Sequence, residues 1–85
     1  MKKKYKWIHG TLNYPDQQIL AENCNAIIFR NTGVGTVLIN GDPLPLGDAL
    51  TLSGWENEVD VSTYQIQWNG LSSGTVQYWR KFYES

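Results

Sequence analysis

The stretch NTGVGTVLINGDPLPLGDALTLSG, residues 31–54, constrains the fold more than any other part of this chain. Gly-x-Gly, Asn-Gly, Gly-Asp-Pro and Leu-Gly-Asp turns alternate with short runs of Val, Leu and Ile. Asn40-Gly41 is a two-residue hairpin signal, because a type I′ turn needs positive φ at both centres. Pro43 and Pro45 cannot both serve a central ladder, so their segment belongs at a sheet edge. Leu44 and Leu46 share a parity and are expected to point inward, as are Leu50 and Leu52. The turns are expected to fold three short strands back on one another. Turn signals every ~8–12 residues mark a sandwich or barrel.

The flanking segments agree. Residues 1–12 read as a strand with Tyr5, Trp7 and His9 on one parity, and Gly10 suggests a bulge or bend. Residues 13–25 read as a loop with at most one turn or a short strand around Ile19. AIIFRN, residues 26–31, is apolar on both parities, the pattern of a strand covered on both faces. VSTYQIQWN alternates cleanly, with Ser62, Tyr64, Ile66 and Trp68 on one side. The last strand, TVQYWRKFYE, puts Val76, Tyr78 and Phe82 on one face and Trp79 and Tyr83 on the other. One of those faces packs into the core, and the second needs cover that a short chain has little material to supply. The expected fold is a single all-β domain over residues 1–85, an antiparallel sandwich of six to eight strands with jelly-roll character.

Eighty-five residues with one cysteine, Cys24, leave no intrachain disulfide. One Cys and one His do not make a zinc site by the usual spacings. A domain this small buries only ~60–65% of its unfolded surface, so self-association is the expected staple. No apolar run reaches the ~18 residues of a membrane helix, and the basic start lacks the apolar segment of a signal peptide. No Asn-x-Ser/Thr sequon occurs.

Net charge is −1, but the charges are sorted. Lys2, Lys3, Lys4 and Lys6 crowd the start, and Arg80 and Lys81 lie near the end. The 49 residues from Asn31 to Trp79 hold no Lys or Arg. That span carries Asp42, Asp48, Glu56, Glu58 and Asp60, an acidic docking face against which the first strand's lysines of a neighbouring copy are expected to seat.

Reactive groups are few. His9 is the only histidine, and its strand context reads as a half-buried structural residue rather than a catalytic base. Glu56, Glu58 and Asp60 stand at spacing two and, if extended, line one side. They lack the Gly and bidentate Glu of a calcium loop. NTGVGT lacks the Gly-Lys-Ser/Thr ending of a phosphate cradle and reads as a turn. Four Trp and five Tyr read as core and subunit contacts. Sugar stacking on Trp55 and Trp79 is the alternative, giving a carbohydrate-binding module. Stacking on single-stranded nucleic acid lacks its positive groove. No catalytic residue, cofactor or metal is expected.

The segment NAIIFRNTGVGTVLINGDPLPLGDALTLSGWENEVDVSTYQIQW, residues 25–68, resembles small β-rich virion proteins of bacteriophages, particularly those of Bacteroidetes-type hosts. Such proteins are spike, decoration or tail-associated components that oligomerise. The family pattern commonly has Pro-Gly where this chain has Leu46-Gly47. The resemblance implies a non-enzymatic structural protein, made in the host cytoplasm and located in the virion. Its expected partners are further copies of itself, as a trimer or higher homo-oligomer, other virion proteins and a host-surface glycan. Tyr5, Trp7, Trp79 and Tyr83 are the expected subunit contacts.

Overall fold

The computed structural model describes residues 4–33, 35–55, 58–68, 70–71 and 73–84. Eight strands follow in order: β1 (Lys4–Asn13), β2 (Gln17–Leu20), β3 (Ala26–Asn31), β4 (Val37–Ile39), β5 (Asp42–Leu44), β6 (Ala49–Ser53), β7 (Thr63–Gln67) and β8 (Thr75–Glu84). They form two antiparallel four-stranded sheets, a long one ordered β1-β8-β3-β6 and a short one ordered β2-β7-β4-β5. The strands pair as nested couples, β1 with β8, β2 with β7, β3 with β6 and β4 with β5. That is one long hairpin rolled up on itself, the eight-stranded jelly roll. No helix occurs among the described residues.

The turn-rich stretch behaves as its residues dictate in one place and departs in another. Asn40 and Gly41 have φ of 51° and 85°, the two positive centres of the hairpin that joins β4 to β5. β5, which contains Pro43, lies at the edge of the short sheet. β6, however, does not fold back on β5. It leaves for the long sheet and pairs with β3. Gly47, with φ of 88°, turns the chain in between. Leu44 is buried, while Leu46 is exposed. The reason is that β5 ends at Leu44, so strand parity no longer governs Leu46.

Alternation decides the core. Ile27 and Phe29 on β3, Val37 and Ile39 on β4, Ile66 on β7, Trp68 just beyond it and Val76 on β8 are buried between the sheets. Leu50, Tyr78 and Phe82 pack against that cluster. Leu52, expected inward, has the inner parity but is exposed near the end of edge strand β6. Residues 17–20, two of them glutamines, form a true strand in which Ile19 alone is buried. Gly10 makes no bulge. It lies within β1, whose register with β8 runs unbroken from Lys4 to Asn13.

Two buried asparagines hold the ends of β3. Asn31 donates to the carbonyls of Gly35 (2.7 Å) and Leu44 (2.9 Å) and accepts from Gly33 N–H (3.1 Å). Asn25 donates to the carbonyls of Trp55 (2.9 Å) and Glu58 (3.1 Å) and to the Tyr83 hydroxyl (3.2 Å). A carboxamide carries both donors and acceptors, so one residue can satisfy a turn and a neighbouring strand together. Both asparagines lie at turns in the sequence, where exposure is the ordinary expectation.

Candidate functional site

The outer face of the long sheet is built by strict alternation. On β1 the outward residues include Tyr5, Trp7 and His9. Their register partners on β8 are Tyr83, Lys81 and Trp79. β3 adds Ile28, opposite Trp79, and Arg30, opposite Gln77. β6 adds Ala49 opposite Arg30 and Thr51 opposite Ile28. Period-two geometry therefore gathers Tyr5, Trp7, Trp79 and Tyr83 on one side of one sheet.

The rings pack as a stripe. Tyr5 and Tyr83 have centroids 5.2 Å apart, and His9 and Trp79 lie 5.0 Å apart. The Lys81 ammonium stands 4.0 Å from the Tyr5 centroid and 5.9 Å from that of Trp7, a cation over aromatic faces. His9 Nε2 lies 3.1 Å from Gln77 Oε1. Beside the stripe, Trp7, Ile28, Arg30, Ala49 and Trp79 line an open groove of about 330 Å³. Trp7 is 49% exposed. No described residue lies over this groove, so among the described residues the expectation that β3 is covered on both faces is met on the inner side alone. The Tyr83 hydroxyl is also a structural group, since it donates to the Glu58 carbonyl at 3.0 Å.

The charges sort differently from the sequence expectation. Arg30 and Lys81 are on the outer face, and no carboxylate shares it among the described residues. Lys4 and Lys6 pair with Glu84 and Phe82 on the opposite parity from Tyr5 and Trp7. Asp42, Asp48, Glu58 and Asp60 do not make one acidic face. Asp42 lies on edge strand β5, paired with Ile39. The Asp48 carbonyl accepts from Asn31 N–H, at one end of β3. Glu58 and Asp60 lie past the other end, against Asn25 and Cys24. The chain's departure from β5 to β6 separates them. Glu56 lies outside the described residues.

Glu58 and Asp60 serve their own loops. Glu58 Oε1 accepts from Trp55 N–H at 2.5 Å. Asp60 accepts from Ser62 N–H at 2.8 Å and from the Tyr64 hydroxyl. Burial favours the neutral form of Asp60, but the bonds from Tyr64 and Ser62 together outweigh it and hold the carboxyl below the usual carboxylate range. Burial, then the hydrogen bond to Asp60, raises the Tyr64 hydroxyl well above the ordinary tyrosine value. Cys24 is enclosed, and burial followed by the Asp60 charge raises its thiol.

His9, expected half-buried, is exposed. It touches Gln77 and Trp79, while Cys24 is sealed in the core. Trp55 is 82% exposed and lines a separate depression with Ser53 and Gly54. No helix among the described residues is long and apolar enough to cross a membrane. No family model, curated protein or solved structure matches the chain.

Proposed function

We propose that this protein is a non-enzymatic structural component of a virion or similar assembly, of spike, decoration or tail-associated type, and that it acts as a homo-oligomer. The open face of the long sheet is its contact surface. The observation that carries this reading is the grouping of Tyr5, Trp7, Ile28, Trp79 and Tyr83 on one face of the long sheet, where Trp7, Ile28 and Trp79 line a groove that no described residue fills. Aromatic rings with an arginine beside them are the side chains enriched at the centres of subunit contacts. Arg30 and Lys81, with no carboxylate beside them among the described residues, favour a facing surface that brings acidic groups. Copies of the same chain carry such groups, exposed, at Asp42 and Asp48. The eight-stranded jelly roll is also an architecture of viral capsid and lectin domains, which supports the class by analogy of fold.

The carbohydrate-binding alternative through Trp55 and Trp79 ranks second, since these two rings line separate depressions. Sedimentation equilibrium of the purified chain at micromolar concentration tests the primary reading. The expected mass is an integer multiple of the 9.7 kDa chain, falling to a single chain in Trp7→Glu. A wild-type protein that sediments as a monomer overturns it.

A further inference from the structure

The outer side of the short sheet has the opposite chemistry. Its outward residues include Leu38 on β4 and Gln67 on β7, which are register partners. At this end of the sheet the segment before β2 folds against β7 and leaves a pocket of about 440 Å³, lined by Tyr14, Asp16, Leu38, Gln67, Trp68 and Leu71 among others. That volume falls within the ~300–1,000 Å³ of ordinary small-molecule sites.

The pocket wall is braced from several sides. Tyr14 N–H donates to the Gly74 carbonyl at 3.0 Å. Asp16 Oδ1 accepts from Trp68 N–H at 2.8 Å. The Gln17 carboxamide donates to the carbonyls of Asn13 and Pro15. The Asp16 carboxylate and the Tyr14 backbone are thereby held in place before any ligand arrives, with the Tyr14 residue 45% exposed. Gln67, by contrast, is exposed and offers its carboxamide at the pocket wall.

We propose that this pocket binds a neutral saccharide. A pyranose has C–H faces and a rim of hydroxyls, each of which can donate and accept. Tyr14, Leu38 and Leu71 supply apolar walls for the C–H faces. Asp16 supplies a charged acceptor and Gln67 both a donor and an acceptor for the rim. The Asp16 carboxylate disfavours acidic sugars. The site lies on the side of the sandwich away from the aromatic stripe, so an assembled protein keeps it accessible. The inference does not rest on the assembly reading.

The test is an amide NMR titration of the full chain with glucose, galactose, mannose, N-acetylglucosamine, lactose and maltose, each to about 20 mM, a range that detects millimolar sites. Arginine methyl ester and sialic acid are run alongside. At least one neutral sugar is expected to shift the Trp68 backbone amide and the Gln67 side-chain amide. Tyr14→Ala and Gln67→Ala, both at exposed positions, are expected to weaken that binding about tenfold, the size of one lost stacking or hydrogen-bonding contact. Trp55→Ala is expected to leave it unchanged. A flat response to every neutral sugar overturns the proposal. So do shifts confined to Trp55 or Trp79, or a pocket that answers only the arginine ester or sialic acid.

Discussion

Tyr78 lays its ring over Gly10, its partner across the β1–β8 ladder: a Cβ at Gly10 comes within 2.2 Å of the Tyr78 ring carbon Cζ. The glycine is thus a space for an aromatic side chain inside a regular strand. Tyr78 packs on the core, with the Arg80 guanidinium 5.5 Å from its centroid, so the ring cannot swing aside without losing contacts. Gly10→Ala is expected to destabilise the fold by about 1–3 kcal/mol, the range for overpacking. A double-mutant cycle checks the cause: in a Tyr78→Ala background the same substitution costs much less.

Asn31 joins the end of β3 to the following turn and to β5 of the other sheet through three hydrogen bonds, while itself wholly buried. Asn31→Ala removes the side-chain partner of the buried Leu44 carbonyl and of the part-buried Gly33 N–H and Gly35 carbonyl. The expected loss is about 2–4 kcal/mol, from one or two unsatisfied groups at ~1–3 kcal/mol each. Urea denaturation measures it. Asn31→Asp is expected to cost more, because a carboxylate cannot donate to the Gly35 and Leu44 carbonyls.

The Asp60–Tyr64 pair limits stability at both ends of the pH scale. Asp60 titrates lower in the folded chain than in the unfolded one, so the unfolded chain takes up the proton first. Its contribution is complete above about pH 5 and is lost as pH falls through the range below ~3.9, the ordinary Asp value. Tyr64 titrates higher in the folded chain. Its contribution is complete below about pH 10 and is lost as pH rises further. Unfolding free energy measured across pH is expected to show a plateau between these limits. Tyr64→Phe is expected to cost about 1.5–3 kcal/mol at neutral pH, the range for a hydrogen bond to a charged group, and to raise the onset of acid unfolding.

Cys24 is sealed in the core and its thiol is raised by burial and by Asp60. A protonated, inaccessible thiol is a poor nucleophile. Ellman's reagent is expected to leave native protein unmodified at pH 8 and to titrate one thiol per chain in denaturant. Rapid native reaction contradicts the burial.

The sequence spoke most clearly where alternation and turn chemistry act locally. Asn40-Gly41 specified its hairpin, Tyr64, Ile66 and Trp68 shared the buried side, and the outward parity of β1 and β8 placed four aromatics together. The sandwich class with jelly-roll character was legible in the closely spaced turns of residues 31–54, whereas the pairing of β1 with β8 and of β3 with β6 was not. What stayed hidden depends on contacts distant in the chain. The departure of β6 from β5 is set by pairing with β3, which Gly47 permits but does not specify. The buried roles of Asn25 and Asn31 come from carbonyls presented by other strands. The pocket brings Asp16 to Trp68 across 52 positions, a proximity that no local pattern reports. The acidic residues looked like one face in sequence because spacing along a chain ignores which sheet each residue joins.

The central claim is that a sister copy covers the aromatic face of the long sheet, and hydroxyl-radical footprinting over a dilution series tests it most directly. Trp7 and Trp79 are expected to become protected as concentration rises, while Trp55, outside the face, reacts at a constant rate. Equal reactivity of Trp7 and Trp79 at all concentrations, or protection that falls on Trp55 instead, contradicts the account.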